Sequence, residues 1–245
     1  SDDEFGELAK SFNAMVHSLR AQTNLVEEKN RENEQLLLSI FPAAIAKRLK
    51  RGEKNIAESV SNVSVLFSDL TGFSKLSDSL TAYEIVSILN ELVTAFDEAA
   101  ERYGMEKIKT IGDSYMAVCG LSVPYLDHDK RAIDFALAMV TIVRRFNHER
   151  RFKLNISIGV NSGDVVAGIV GRNKFIYDVW GDTINIASAL KSACPPGTVL
   201  VSEDVYNRLG DLYDFESVKT LVENGKGPMN AWALKNLQQA TRTEG

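Results

Sequence analysis

The dipeptide Gly112-Asp113, set between Lys107–Ile111 and Ser114–Cys119, constrains this chain more than any other feature. Two β-prone runs joined by so short a polar step read as an antiparallel hairpin with the aspartate at its tip. A second aspartate, Asp69, ends the apolar run Val63-Ser64-Val65-Leu66-Phe67-Ser68 and opens the turn Leu70-Thr71-Gly72-Phe73-Ser74. If that strand lies beside the hairpin, both carboxylates reach the same edge of one sheet. Two hard oxygen ligands next to a loop of backbone amides suit a magnesium-bound triphosphate. Either aspartate alone reads as an ordinary turn residue. Together, each after an apolar strand, they favour a metal site.

From residue 60 onward, strands alternate with helices. Thr81-Ala82-Tyr83-Glu84 is a capping box opening a helix that runs to about Tyr103. Asp129 to about His148 carries Ile133, Leu137, Val140 and Ile142 among the apolar positions of a second helix. Leu154–Val160 and Val165–Val170 read as strands around a turn at Asn161-Ser162-Gly163-Asp164. Thr183–Ala193 reads as a helix that stops before Pro195-Pro196-Gly197. A strand at Thr198–Val201, a short helix at Glu203–Leu209 and a last strand at Ala231–Leu234 follow. The β-α-β-β-α-β order predicts an α+β, ferredoxin-like fold with helices on one face of the sheet.

The N-terminal stretch obeys a different rule. Phe5, Leu8, Phe12, Met15, Leu19, Gln22, Val26, Lys29, Asn33, Leu36 and Ile40 recur at alternating spacings of three and four. That is the seam of a two-stranded coiled coil, with a polar middle that costs stability and fixes register. A solvent-exposed helix on a monomer is the weaker alternative, since so long a helix has no intrachain surface to cover. Residues 5–40 therefore predict a parallel homodimer. Pro42 interrupts this helix and suits the first turn of a second one, Ala43–Lys50. Arg51-Gly52-Glu53-Lys54 is a charged linker.

Composition excludes several functions. A net charge of −5 gives no support to nucleic-acid binding. Cys119 and Cys194 follow no metal spacing, and none of the three histidines is paired at ligand spacing, so a zinc site is disfavoured. No stretch has the apolar length of a membrane span. No Walker motif, dinucleotide-type Gly-x-Gly-x-x-Gly or Gly-Gly-Asp-Glu-Phe occurs. The chain opens directly into a helical pattern, as a fragment of a longer protein would.

Three stretches together resemble the class III nucleotidyl cyclases, the adenylyl and guanylyl cyclases. They are Phe67-Ser68-Asp69-Leu70-Thr71-Gly72-Phe73, Lys109-Thr110-Ile111-Gly112-Asp113-Ser114-Tyr115-Met116, and Tyr177-Asp178-Val179-Trp180-Gly181-Asp182-Thr183-Ile184-Asn185-Ile186-Ala187-Ser188. The resemblance extends over 60–237. Residues 1–22 resemble the last helix of a HAMP domain, and 23–50, with Leu37-Leu38-Ser39-Ile40-Phe41-Pro42, the signalling and transducer helices that precede such cyclases, with 51–59 a linker and 238–245 a tail. HAMP-linked mycobacterial membrane cyclases share this layout. A membrane segment would then lie upstream, leaving these residues on the cytoplasmic side of a plasma membrane.

The resemblance implies a role for each matching residue. Asp69 and Asp113, with the Leu70 carbonyl, would hold two magnesium or manganese ions. The amides from Thr71 through Gly72 and Phe73 to Ser74 would cradle phosphate oxygens. Lys109 and Asp178 match the purine-reading pair. A lysine donating to ring N1 and an aspartate accepting from the exocyclic amine suit adenine. Guanylyl cyclases usually carry Glu and Cys there. Asn185 matches the residue that positions the ribose. In such cyclases the metal and purine residues of one site come from two subunits, so catalytic domains and coiled coil would dimerise together.

Two positions depart from the pattern. Where an arginine binds the developing α-phosphate charge, this chain has Ala189, and Lys191 two residues on reads as a poor substitute on another helix face. Asn224-Gly225-Lys226-Gly227 replaces Lys-Gly-Lys-Gly, leaving Lys226 as the remaining phosphate-binding lysine. Ala189 admits three accounts: an engineered trap for substrate, a natural site that is slow or has a replacement cation, or a non-catalytic nucleotide sensor. The intact metal and purine pairs weigh against the third. The sequence therefore predicts an adenylyl cyclase weakened at one position, with a nucleotide-binding signalling module or a guanylyl cyclase as alternatives.

Overall fold

Pairing begins where the hairpin predicts. The computed structural model describes residues 2–73, 80–171, 174–221 and 228–235. Strands β1 (Ala57–Thr71), β2 (Met105–Ile111) and β3 (Ser114–Cys119) lie together, with β3 between the other two. β2 and β3 form the antiparallel hairpin, Ile111 facing Ser114 across its tip. β3 in turn runs antiparallel to β1, placing Asp69 opposite Ser114. The chain order is completed by α3 (Ala82–Tyr103), α4 (His128–Arg150), β4 (Asn155–Val170), β5 (Ile176–Trp180), α5 (Asp182–Ala193), β6 (Val199–Ser202), α6 (Glu203–Leu209), β7 (Phe215–Leu221) and β8 (Pro228–Leu234). The sheet runs β2-β3-β1-β4-β6-β8-β7, with β5 added to β4. The predicted β-α-β-β-α-β core is its first half.

Both faces of the central strands are buried, which corrects the expectation of helices on one face. Successive side chains alternate across a strand. Leu66 and Leu70 pack with Leu92 and Phe96 of α3 and with Ile133 and Met139 of α4. Val63, Val65 and Phe67 point the other way and pack with Met116, Val118 and Ala187 of α5. The apolar run in β1 is continuous because two layers of helix cover it. α5 can settle there because Gly159 of β4 has no side chain. A Cβ at Gly159 would lie 2.3 Å from the Lys191 nitrogen and 2.4 Å from the Ala187 carbonyl oxygen, so helix and strand backbones are in direct contact.

The capping box of α3 forms as predicted. The Glu84 N–H donates to Thr81 Oγ1 at 3.3 Å, and the Thr81 N–H donates to Glu84 Oε2 at 2.8 Å. The turn predicted at Asn161–Asp164 does not form. β4 passes straight through it, and Asn161, Ser162 and Gly163 face Val65, Ser64 and Val63 in register. Tertiary partners satisfy these turn-prone residues. Asn161 Nδ2 donates to the Thr183 carbonyl at 3.0 Å, and Ser162 Oγ accepts from Arg208 at 2.9 Å. The irregularity falls on β1 instead, at Asn62 (φ 57°), whose N–H donates to Asp164 Oδ1 at 3.2 Å.

One buried polar network fastens β1 to α4 and α6. Ser64 Oγ donates to Asp129 Oδ1 at 2.5 Å, and Arg208 Nη1 donates to Asp129 Oδ2 at 2.8 Å. Ser64 Oγ also contacts His128 Nδ1 at 2.7 Å. Since the hydroxyl proton serves Asp129, the imidazole N–H at Nδ1 is shared between this oxygen and Asp129 Oδ1, 3.3 Å away.

Residues 1–56 form a compact unit apart from 57–245. Helix α1 spans Asp2–Leu38 without a break, and α2 spans Ala43–Lys50 after Pro42. Lys50 pairs with Glu34 at 3.0 Å, tying the two helices together. The predicted seam of α1 is bare: Phe5 is 72% exposed, Phe12 59% and Leu36 63%. Among the described residues no helix is long and apolar enough to cross a membrane.

Candidate active site

The last residues of β1 and the tip of the β2–β3 hairpin bring the two aspartates to one end of the sheet. Ser114 Oγ donates to Asp69 Oδ1 at 2.5 Å and fixes that carboxylate. Gly112 (φ 61°) supplies the left-handed backbone that the tip requires. Burial, reinforced by the negative charge of Asp69, raises the Asp113 carboxyl above the usual carboxylate range; its own backbone and Lys191 offset part of this. Two neighbouring carboxylates attract a hard cation.

Lys191 of α5 reaches the same place. Its Nζ is 3.9 Å from Asp69 Oδ2, and its side chain is only 16% exposed. Lys191 thus stands beside Asp69 although it lies on a different helix face from Ala189. α5 lies flat on Gly159, and Asp69 shares the sheet face of Phe67, which α5 covers. Ser114 carries no signal of its own in the sequence; pairing β1 with the hairpin sets it opposite Asp69.

The surroundings fit a bound metal–phosphate group. Among the described residues Thr71 Oγ1 and Ser157 Oγ are buried without a hydrogen-bond partner, and Ser157 faces Asp69 across the β1–β4 register. Buried hydroxyls seldom stay unpaired. Among the described residues no group of three or more His, Cys, Asp or Glu could hold a metal. Among the described residues two carboxylates, Asp69 and Asp113, stand here, which would leave the other positions of a hard cation to backbone, water and substrate oxygens. Gly72 (φ 90°) turns the chain after Thr71, and Phe73 packs on the α3–α4 core. Ser74, Asn224 and Lys226 lie outside the described residues.

Lys109 and Asp178 come together from strands 69 positions apart: Lys109 Nζ donates directly to Asp178 Oδ2. The other carboxylate oxygen accepts from the Val179 N–H at 2.9 Å, which holds Asp178 in one orientation. Asp178 is 14% exposed, and Tyr177 and Ile108 pack on the core beside this pair. A neighbouring donor and acceptor of this kind can read the edge of a purine. Asn185 is exposed on α5, and Ala189 follows one turn later.

Similarity to known proteins follows the same geometry. The profile of the adenylate and guanylate cyclase catalytic domain matches residues 56–236, and that of the HAMP domain matches 1–21. An adenylate cyclase of Mycobacterium tuberculosis is 39% identical over 222 residues, covering 90% of this chain and 50% of that protein. The receptor-type guanylate cyclase gcy-13 of Caenorhabditis elegans is 32% identical over 244 residues, 97% of this chain and 24% of that protein. The chain thus spans half or less of the length of these relatives. Among solved structures, the catalytic core of a rhodopsin-guanylyl cyclase with converted specificity, in complex with ATPαS, superposes with a TM-score of 0.69 at 33% identity. It covers 73% of this chain and 97% of that one.

Proposed function

The chain belongs to the adenylate and guanylate cyclase catalytic-domain family, and from that premise we propose that it converts ATP to 3′,5′-cyclic AMP and pyrophosphate in a homodimer. The Lys109–Asp178 pair carries the choice of ATP. Adenine offers an acceptor at N1 and a donor at its 6-amino group, the complement of a lysine and an aspartate. Guanine presents the opposite pattern at these two atoms and would set donor against donor and acceptor against acceptor. Asp178 is held by Val179, so its acceptor is in place before the base arrives.

Asp69, Asp113 and the Leu70 carbonyl would hold two magnesium or manganese ions. Such ions, when bound, acidify the ribose 3′-hydroxyl and neutralise phosphate charge. In the reaction the 3′-oxygen bonds to the α-phosphorus, the bond from that phosphorus to the β-phosphate bridging oxygen breaks, and pyrophosphate leaves with the electron pair. The hydroxyl proton passes to solvent. Ser114 keeps Asp69 oriented, the amides of Thr71–Ser74 meet phosphate oxygens together with Lys226, and Asn185 orients the ribose. Each site takes its metal carboxylates from one subunit and Lys109, Asp178 and Asn185 from the other. The bare seam of α1 supports the dimer. We assign 1–22 to the end of a HAMP helix, 23–50 to signalling helices, and 60–237 to the cyclase domain. The HAMP match supports attachment to a membrane through an upstream segment.

Cyclic AMP and cyclic GMP formation from manganese-ATP and manganese-GTP tests this reading, for the chain and for Lys109→Glu/Asp178→Cys. ATP preferred by the chain, with a shift toward GTP in the double variant, is the expected result. GTP preferred by the unaltered chain would overturn it. Ala189 favours a second reading, a module that binds nucleotide without cyclising it. Metal-dependent ATP binding with no cyclic AMP, even in Ala189→Arg, would select that one.

A further inference from the structure

We propose that Lys191 supplies, from the same chain as Asp69 and Asp113, the cation that meets the nucleotide phosphates in place of the arginine absent at Ala189. The inference rests on the cyclase reading for its substrate. The position of Lys191 does not depend on that reading.

The position has three parts. Nζ lies 3.9 Å from Asp69 Oδ2, near enough for attraction but too far for a hydrogen bond to that oxygen. The ammonium is thus oriented toward the carboxylates while its N–H groups are not spent on Asp69. The stem is buried at 16% exposure, which holds the charge at a defined point and limits its screening by water. The base of the stem is closely packed, because the Lys191 backbone nitrogen rests on the backbone at Gly159. A fixed, poorly solvated cation beside a site for metal-bound phosphate stabilises charge that develops there without reorganising.

The direction of approach separates this residue from the arginine it replaces. Ala189 lies one turn beyond Asn185, and Asn185 is exposed. An arginine at 189 would share that outward side and serve a site completed by the partner. Lys191 instead turns to the Asp69 of its own chain. Its positive charge next to the two carboxylates opposes a free metal ion but favours a metal carrying phosphate.

That opposition provides the test. Manganese binding to the nucleotide-free protein is measured by electron paramagnetic resonance for the chain, Lys191→Met and Lys191→Arg. Binding of manganese-ATPαS is measured alongside. Lys191→Met is expected to bind manganese alone several-fold more tightly and manganese-ATPαS about tenfold more weakly, with Lys191→Arg restoring both. A lysine that merely packs the helix would not move the two affinities in opposite directions. Unchanged affinities overturn the proposal, and so do affinities that fall together in both Lys191→Met and the better-tolerated Lys191→Gln. Neither measurement needs turnover, so an inactive chain would defeat the cyclase reading without deciding this one.

In an active protein, mixing adds a second test of the same-chain assignment. Lys191→Met mixed with Asn185→Ala is expected to recover activity through one complete site. Lys191→Met mixed with Asp69→Ala is expected to recover none. Recovery in the second mixture, with subunit exchange verified by sedimentation of tagged chains, would place Lys191 in the partner's site and overturn the proposal.

Discussion

Strand β1 carries a carboxylate cluster near each end of its paired core, and the two differ in how charge is compensated. At Ser64, Asp129 is buried, and burial alone would raise its pKa. Hydrogen bonds from His128, Ser64 and Arg208 outweigh that and hold it at about 2. Five residues further along, Asp69 receives one serine hydroxyl and a long approach from Lys191. Asp113 is desolvated beside it, with a pKa that moves upward. Asp113 is half-buried and Asp129 buried, and both are desolvated; the supply of donors differs. A carboxylate with a full set of donors fastens elements together, whereas a pair with fewer donors leaves negative charge for a cation to meet.

Replacing one acid at each end breaks the comparison most sharply. On the proposed metal role of Asp113, Asp113→Asn is expected to lower turnover by roughly 10³-fold, since losing a ligand removes several kcal/mol of transition-state stabilisation. Its unfolding midpoint should stay level or rise as repulsion from Asp69 is relieved. Asp129→Asn should do the reverse, costing about 2–3 kcal/mol of stability, with Arg208 at 44% exposure keeping the loss moderate. Urea unfolding and cyclic AMP assays on both variants check this; equal stability losses would show that the two clusters are alike.

The acid limb of stability sharpens the contrast further. Asp129 has a lowered pKa in the fold, so its contribution is complete above the unfolded value of 3.8 and is lost as pH falls toward about 2. Asp113 has a raised pKa, so its contribution has the opposite sign: it favours the native state at low pH and is lost as pH rises through the folded pKa. Between pH 4 and 2, stability of the unaltered chain should fall more steeply than that of Asp129→Asn, and less steeply than that of Asp113→Asn. Coincident slopes in the three proteins would contradict both assignments. The smallest effects belong to the serines. Ser64→Ala should cost about 1–2 kcal/mol of stability. Ser114→Ala should cost under about 1 kcal/mol and instead weaken manganese binding a few-fold, readable by titration.

Much of this arrangement was legible along the chain. The hairpin at Gly112-Asp113 and the Thr81 capping box were read correctly because their signals are local. The heptads likewise give one unbroken helix in α1. The turn at Asn161–Asp164 was misread because turn-prone residues there find partners in α5, α6 and β1, which local propensity does not register. β5 and β7 were not anticipated: β5 is five residues long with an exposed Ile176 and Trp180, and β7 mixes polar and apolar residues. The position of Lys191 is not legible from spacing within α5, because it depends on the plane on which α5 rests.

By itself, the order of residues determined the β2–β3 hairpin, the capped helix α3 and the unbroken helix α1, and that Asp69 and Asp113 each follow a strand, because these signals are properties of neighbours in the chain. Tertiary structure decided which side chains meet. Asp178 joins Lys109 only once β5 has paired with β4 beside the hairpin. Lys191 reaches Asp69 because Gly159 lets two backbones touch. Those encounters depend on strand register and on how closely a helix can approach a sheet, both set by packing between residues far apart in sequence.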